Sequence, residues 1–260
     1  MRTLLKMLLV GILVLPGAVL AQEAEAEPEL EVTVDLVSRY IWRGYDLSHA
    51  DPTLLVNLNY YPAAAPGLWM NVGAIAGLVE NEELGDSGTN IDEFDLTIGY
   101  ERELADGAWT LGAALYYYGY ETTWTQDYAY EDNNDFEVNL YAYWQAAEHV
   151  RPTLEYYRGL DDGIEGDYVE LGLALPFGGE RWSTEPKVTA GWSNQYEVPD
   201  RVTNVQAVLP LTWSSGSFAL TPSLNYTWVD DPEGFNPEEI TGETPEDGLF
   251  WVGVRLAWTF

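Results

Sequence analysis

From residue 30 to the closing Phe260, apolar and polar residues alternate almost one for one, and turn-forming residues interrupt the alternation at short intervals. A period of two is the repeat of an extended chain whose successive side chains point to opposite faces, whereas helices repeat every 3.6 residues. The pattern therefore specifies two-faced β-strands. Twelve candidates follow: residues 30–43, 53–61, 68–79, 91–101, 108–120, 135–145, 149–158, 167–175, 185–193, 201–213, 218–228 and 249–260. Most have the roughly 9–11 residues that cross a bilayer when tilted. The last sets Phe250, Val252, Val254, Leu256, Trp258 and Phe260 against Trp251, Gly253, Arg255, Ala257 and Thr259. No charged side chain is expected on the apolar face of any candidate.

A soluble sandwich also alternates, and three further features separate it from a membrane barrel. Aromatic residues stand at strand ends: Tyr40, Trp42, Tyr60, Tyr100, Trp109, Tyr117, Trp144, Trp192, Trp213, Trp228 and Trp258. Amphipathic rings settle at headgroup level, so two such rows form the girdles of a membrane barrel. The connections also alternate. Residues 62–67, 102–107, 146–148 and 214–217 are short and 176–184 somewhat longer; most of 80–90, 121–134, 159–166 and 229–248 are longer and all are acidic. Finally, an apolar alternating strand ending in Phe260 resembles the signal by which bacterial outer-membrane proteins reach the barrel-assembly machinery. A sheet in lipid must close on itself. The expected fold is all-β: a transmembrane, antiparallel, up-and-down barrel of about 12 strands over residues 30–260, sealed between first and last strand. Pro152, Pro186, Pro210 and Pro222 fall inside candidate strands, where each removes a ladder donor, so the register is least secure there.

The segment before the barrel is different. Arg2 and Lys6 precede an apolar run from Met7 to Leu15, and Ala21 follows a small-residue stretch. This is the pattern of a secretory leader cleaved after Ala21, and the run is shorter than the ~18 residues of a membrane anchor. Residues 22–29 read as an acidic periplasmic tail. The chain has 11 Lys and Arg against 43 Asp and Glu and no Cys. Such a charge repels phosphate and argues against a nucleic-acid partner. The lack of cysteine excludes disulfides, thiolate metal sites and thiol nucleophiles.

The stretch Ser38-Arg39-Tyr40-Ile41-Trp42-Arg43-Gly44, running on to Ser48 and Asp51-Pro52, resembles the S-x-Y-x-x-R-G-x-S-x-S pattern of the TorF-like porins, a bacterial outer-membrane barrel family once catalogued as of unknown function. Weaker matches are residues 115–120, 135–141 and 154–157. Family members often carry Gln soon after the proline, where Leu54, Leu55 and Val56 stand here. The resemblance implies a pore-forming outer-membrane protein and supplies no substrate.

The inward face carries the acids Glu31, Asp35, Glu93, Asp95, Glu101, Glu137, Glu155 and Glu170 and the bases Arg39, Arg43, Arg151, Lys187 and Arg255. About eight strands are filled by their own side chains and about 16–18 leave an aqueous channel, so twelve should enclose a narrow lumen. Two arrangements are open. Either an arginine side (Arg39, Arg43, Arg255) faces a carboxylate side across a wet constriction, or direct Arg–carboxylate pairs neutralise a mostly filled lumen. The first implies passive diffusion of small polar or cationic solutes, and the second a non-conducting barrel whose acidic outer loops bind cations or a surface partner. Acids cluster at residues 127–135 and 230–247 and could hold Ca²⁺ loosely, although neither cluster has the spaced pattern of a dedicated loop. Catalysis finds little support: the two histidines, His49 and His149, fall at opposite ends of the barrel, and nothing calls for a cofactor.

Overall fold

A computed structural model describes residues 29–48, 51–78, 91–120, 134–161, 164–195, 202–230 and 247–260. Its barrel strands are β1 (Glu29–Val37), β2 (Thr53–Tyr61), β3 (Leu68–Gly77), β4 (Ile91–Leu104), β5 (Trp109–Tyr120), β6 (Asn134–Trp144), β7 (Arg151–Gly159), β8 (Gly166–Ala174), β9 (Lys187–Ser193), β10 (Val202–Pro210), β11 (Phe218–Val229) and β12 (Gly248–Thr259). Each pairs antiparallel with its sequence neighbours. β1 pairs with β12 in the register Glu31↔Thr259 to Val37↔Gly253, so the twelve-stranded barrel closes where expected. Closure leaves no sheet edge along the lipid-facing height, where an unpaired backbone group would cost several kcal/mol.

The two faces are inverted relative to a water-soluble core. Leu171, Val188, Leu224 and Phe250 are each more than half exposed on the outside, while Thr33, Thr97, Asn139, Thr189, Asn204, Asn225 and Thr227 are buried inside. That polarity suits hydrocarbon outside and water or polar groups within. Aromatics mark both rims. At the end with the short turns, Trp109 stacks on Trp144 at 5.4 Å and Phe218 packs on Trp258 at 5.2 Å; at the loop end, Tyr117 meets Phe136 at 5.1 Å. Among the described side chains of the expected strands two charges do sit on the outer face, contrary to expectation, and Arg102, opposite outward Leu111, is another where β4 runs on past its expected end. Arg158 and Asp167 are opposite one another on β7 and β8 at the loop rim, and their ion pair of 3.3 Å lies where headgroups, not acyl chains, would surround it.

The awkward prolines mark a seam. β8, β9 and β10 do not run straight to the turn end, as the expected strands 167–175, 185–193 and 201–213 would. They break, and short strands Phe177–Gly178, Trp182–Thr184 and Thr212–Ser215 continue beyond the break as a lip paired to the start of β11. Pro176, Pro186 and Pro210 occupy the breaks, and the carbonyl of Pro222 accepts a hydrogen bond from Leu211 N across them. Pro152 lies one residue past the end of the β6–β7 pairing at Tyr143↔Thr153. Each proline thus stands where the ladder to at least one neighbour is interrupted or already ended, although Pro222 and Pro152 remain in register with Val254 and Leu173 on their other side.

The larger departure is in the first expected strand. β1 stops at Val37, not Arg43. Ser38 still pairs with Val252, and the chain then forms a separate two-stranded hairpin, Ile41–Trp42 with Tyr45–Asp46. Tyr40 and Trp42 therefore belong to the interior and not to a girdle.

Closure predicts a specific cross-link. Leu30 and Phe260 exchange both backbone hydrogen bonds, which makes Thr33 and Ala257, paired three residues on, a non-hydrogen-bonded pair of close approach. Thr33→Cys with Ala257→Cys should oxidise to a disulfide joining β1 to β12 in an otherwise cysteine-free chain, read as a mobility shift reversed by reductant. A pair displaced by one residue, Thr33→Cys with Leu256→Cys, should not link.

Candidate functional site

The hairpin after β1 turns through Arg43 and Gly44, whose φ angles of 53° and 96° are both in the left-handed region. A two-residue turn that matches strand twist requires this at both positions, and glycine meets it freely while arginine is strained by roughly 1–2 kcal/mol. The base of the hairpin is tied by its own polar residues. Arg39 Nη1 donates to Asp46 Oδ2 at 2.9 Å, Tyr40 N to Ser48 Oγ at 2.8 Å and Ser48 Oγ to Asp46 Oδ1 at 3.0 Å. Tyr45 packs with Val229 at the end of β11, flanked by Trp42 and Leu47.

The tip is seated against the opposite wall. Arg43 Nη1 and Nη2 donate to Glu137 Oε1 and Oε2 on β6 at 2.6 and 2.7 Å, a two-pronged pair. Nη1 also reaches Gln195 Oε1 at 3.0 Å. The carboxylate is further held by Gln195 Nε2 at 2.9 Å and by the Tyr118 hydroxyl at 3.1 Å. Three rings surround the guanidinium carbon: Trp42 at 4.3 Å, Tyr157 at 4.0 Å and Tyr168 at 4.7 Å. Asn204 Nδ2 on β10 donates to the Arg43 carbonyl at 3.0 Å. Glu137 and Gln195 have no exposed surface, and Tyr168 lies over Gly191, where any Cβ would stand 2.2 Å from its hydroxyl. A carboxylate this dry is tolerable only with its charge and lone pairs answered, which the arginine, the amide and the phenol do together.

The rest of the lumen toward the turn end is a ring of acids on tyrosine hydroxyls. Tyr157 donates to Glu155 at 2.5 Å, Tyr168 to Glu170 at 3.2 Å and Tyr141 to Glu101 at 3.0 Å. Lys187 Nζ serves both Glu170, at 3.3 Å, and Glu155, at 3.8 Å, one base between two acids. Glu31 accepts from Asn59 at 3.0 Å. Glu93 and Asp95, nearer the loop end, stand two residues apart on one face of β4.

The structure distributes the expected site residues accordingly. Arg39 and Arg43 leave the β1 wall for the hairpin because the chain turns inward at Ser38. Arg43 and Glu137 meet directly instead of facing one another across a gap. Arg255 pairs with its register neighbour Asp35 at 2.7 Å on the seam between β12 and β1, away from the hairpin tip. Arg151 is at the turn rim, bonded to Glu185. His149 is there too, its Nδ1 2.8 Å from the Pro176 carbonyl and its ring on Phe177. His49 and nearly all of the two acidic clusters lie outside the described residues. Tyr118, Tyr157, Tyr168, Gln195 and Asn204 were not anticipated from the sequence. The readable sign was Arg43-Gly44 after an alternating run, a dipeptide suited to a tight turn, opposed by tyrosines at inward parity on β5 to β8.

Glu137→Gln removes the anion and leaves a buried guanidinium unanswered. The expected cost is about 3–5 kcal/mol, measured as a lowered urea midpoint of the refolded barrel. Trypsin should then cut within the hairpin and should spare the wild type, in which the Arg43 side chain is buried.

Comparison with solved structures gives the same architecture. The KdgM porin, solved in complex with disordered oligogalacturonate, superposes with a TM-score of 0.53 at 6% identity, over 89% of this chain and 99% of that one. An outer-membrane channel of Pseudomonas putida F1 superposes with a TM-score of 0.50 at 13% identity, over 92% and 98%. At these identities the likeness is one of fold, that of outer-membrane barrels. No curated protein matches the chain in sequence. The profile of a bacterial protein family of unknown function, Gcw_chp, matches residues 21–218, and the chain belongs to that family.

Proposed function

We propose that the chain is an outer-membrane porin of the TorF-like kind, exported by its cleaved leader, inserted through its C-terminal strand and open to small polar or cationic solutes. The observation that carries this is a polar lumen narrowed at one level by an inward hairpin. A barrel sealed for purely structural reasons is filled most simply by apolar side chains, yet here Asn59, Asn71, Asn139, Glu101, Glu155 and Glu170 line it. Below the hairpin, acids exceed bases, and a charged wall in a confined space of low dielectric concentrates ions of the opposite sign. The path runs past Glu93, Asp95, Glu155, Glu170 and Lys187, with the Arg43–Glu137 pair fixing its narrowest level. The loop end faces outward, as short periplasmic turns and longer outer loops do in such barrels.

A second reading rests on the seat of the hairpin. A tip held by a two-pronged buried ion pair and three rings is not loosely placed, and it favours a barrel that stays shut under resting conditions.

Single-channel recording separates the two. Wild-type barrels in a planar bilayer under a salt gradient should give small openings with a cation-directed reversal potential. Replacing residues 39–48 by a short Gly-Ser link should raise conductance several-fold, and Glu155→Gln with Glu170→Gln should move the reversal potential toward zero. A folded hairpin-less barrel that passes no current would overturn the porin reading.

A further inference from the structure

The seat of Arg43 is built almost entirely by the wall. Among the described residues that bond or stack on the guanidinium, Trp42 comes from the hairpin and the others come from the wall. Glu137 and Tyr118 come from β6 and β5, Tyr157 and Tyr168 from β7 and β8, and Gln195 from the residues after β9. The wall also orients itself. Glu137 is held by the Tyr118 hydroxyl and by Nε2 of Gln195, bonds that the wall makes within itself, although Oε1 of the same amide also accepts from Arg43. Gln195 N is in turn fixed by Ser193 Oγ at 3.1 Å. Subtracting Arg43 leaves a carboxylate that is fully buried while the arginine is in place, with both oxygens turned to the vacated position and two phenol rings within 5 Å of where the guanidinium carbon stood.

That shape is selective. A guanidinium ion is planar, offers paired N–H groups along an edge, and is weakly hydrated on its faces, so it matches a carboxylate edge-on and aromatic rings face-on. An ammonium ion is a compact, strongly hydrated charge without a flat edge, and it would give up more water for fewer matched contacts. We propose that this wall pocket is a guanidinium-binding site, filled here by the chain's own Arg43, and that small guanidinium solutes are the free ligands it takes. The proposal concerns a binding site and does not depend on conduction: a barrel that never opens would still contain it.

Chemical rescue tests it. In Arg43→Ala the side chain is removed and the buried Glu137 charge remains, so the pocket should draw a cation from solution. Thermal unfolding of the detergent-refolded variant is measured with guanidinium chloride at about 10 mM, far below denaturing levels, and with ammonium chloride at equal ionic strength. The expected result is a saturable rise in Tm of about 2–4 °C with guanidinium over ammonium. The rise should vanish in Arg43→Ala with Glu137→Gln. Equal effects of the two salts, or a rise that survives the second substitution, would overturn the proposal. If Arg43→Ala does not fold unaided, the same salts are supplied during refolding. Guanidinium but not ammonium must then recover the heat-modifiable band, and failure with both would also overturn it.

Discussion

A bilayer offers no partner to a backbone amide, and the rest of this molecule follows from that. Every strand must find both neighbours, so β1 must return to β12, and residues facing lipid and lumen must alternate without a slip, since a shift by one would turn the polar set into hydrocarbon. The chain tolerates disruption of the ladder only away from that zone. Pro176, Pro186 and Pro210 collect where β8, β9 and β10 break into the lip, and the outward charges Arg158 and Asp167 pair at the loop rim.

Inside, the constraint reverses. Polar side chains forced inward by alternation must be hydrated or answer one another. The lumen uses tyrosine hydroxyls as the common solution, each donating to a carboxylate on the same strand, its neighbour or one further off. The hairpin adds the missing cation. One arginine thereby serves local and global ends together: it neutralises the driest acid in the barrel and pins an entire loop across the lumen.

Strand number, closure and the inward or outward sense of most residues were legible because a repeat of two leaves little choice once one face is committed to lipid. The girdle at Trp109 and Trp144 was legible for the same reason. The hairpin was not. Residues 38–43 continue the alternation of β1, and periodicity cannot tell an inward-folded strand from a wall strand, because both are two-faced. What ends the wall is pairing: beyond Ser38 and Val252 the chain leaves β12 and pairs with itself. The same blindness hid the Arg43 seat, whose members are scattered over β5 to β10 and share only inward parity. Arg39, Arg43 and Glu137 were singled out for their charge, but which base meets which acid depended on the turn at Arg43-Gly44.

The position of that seat along the chain sets an order of events. Arg43 is separated by 94 residues from Glu137, by 152 from Gln195 and by 161 from Asn204. Contacts so distant in sequence form only after the intervening loops have closed. Nor does the hairpin stand well alone, since its turn places an arginine where the backbone favours glycine. The hairpin, although made early in the chain, therefore docks late. Its receptor is incomplete until β10 has joined the sheet, so the seat of Arg43 is made of contacts that only a nearly complete wall can offer.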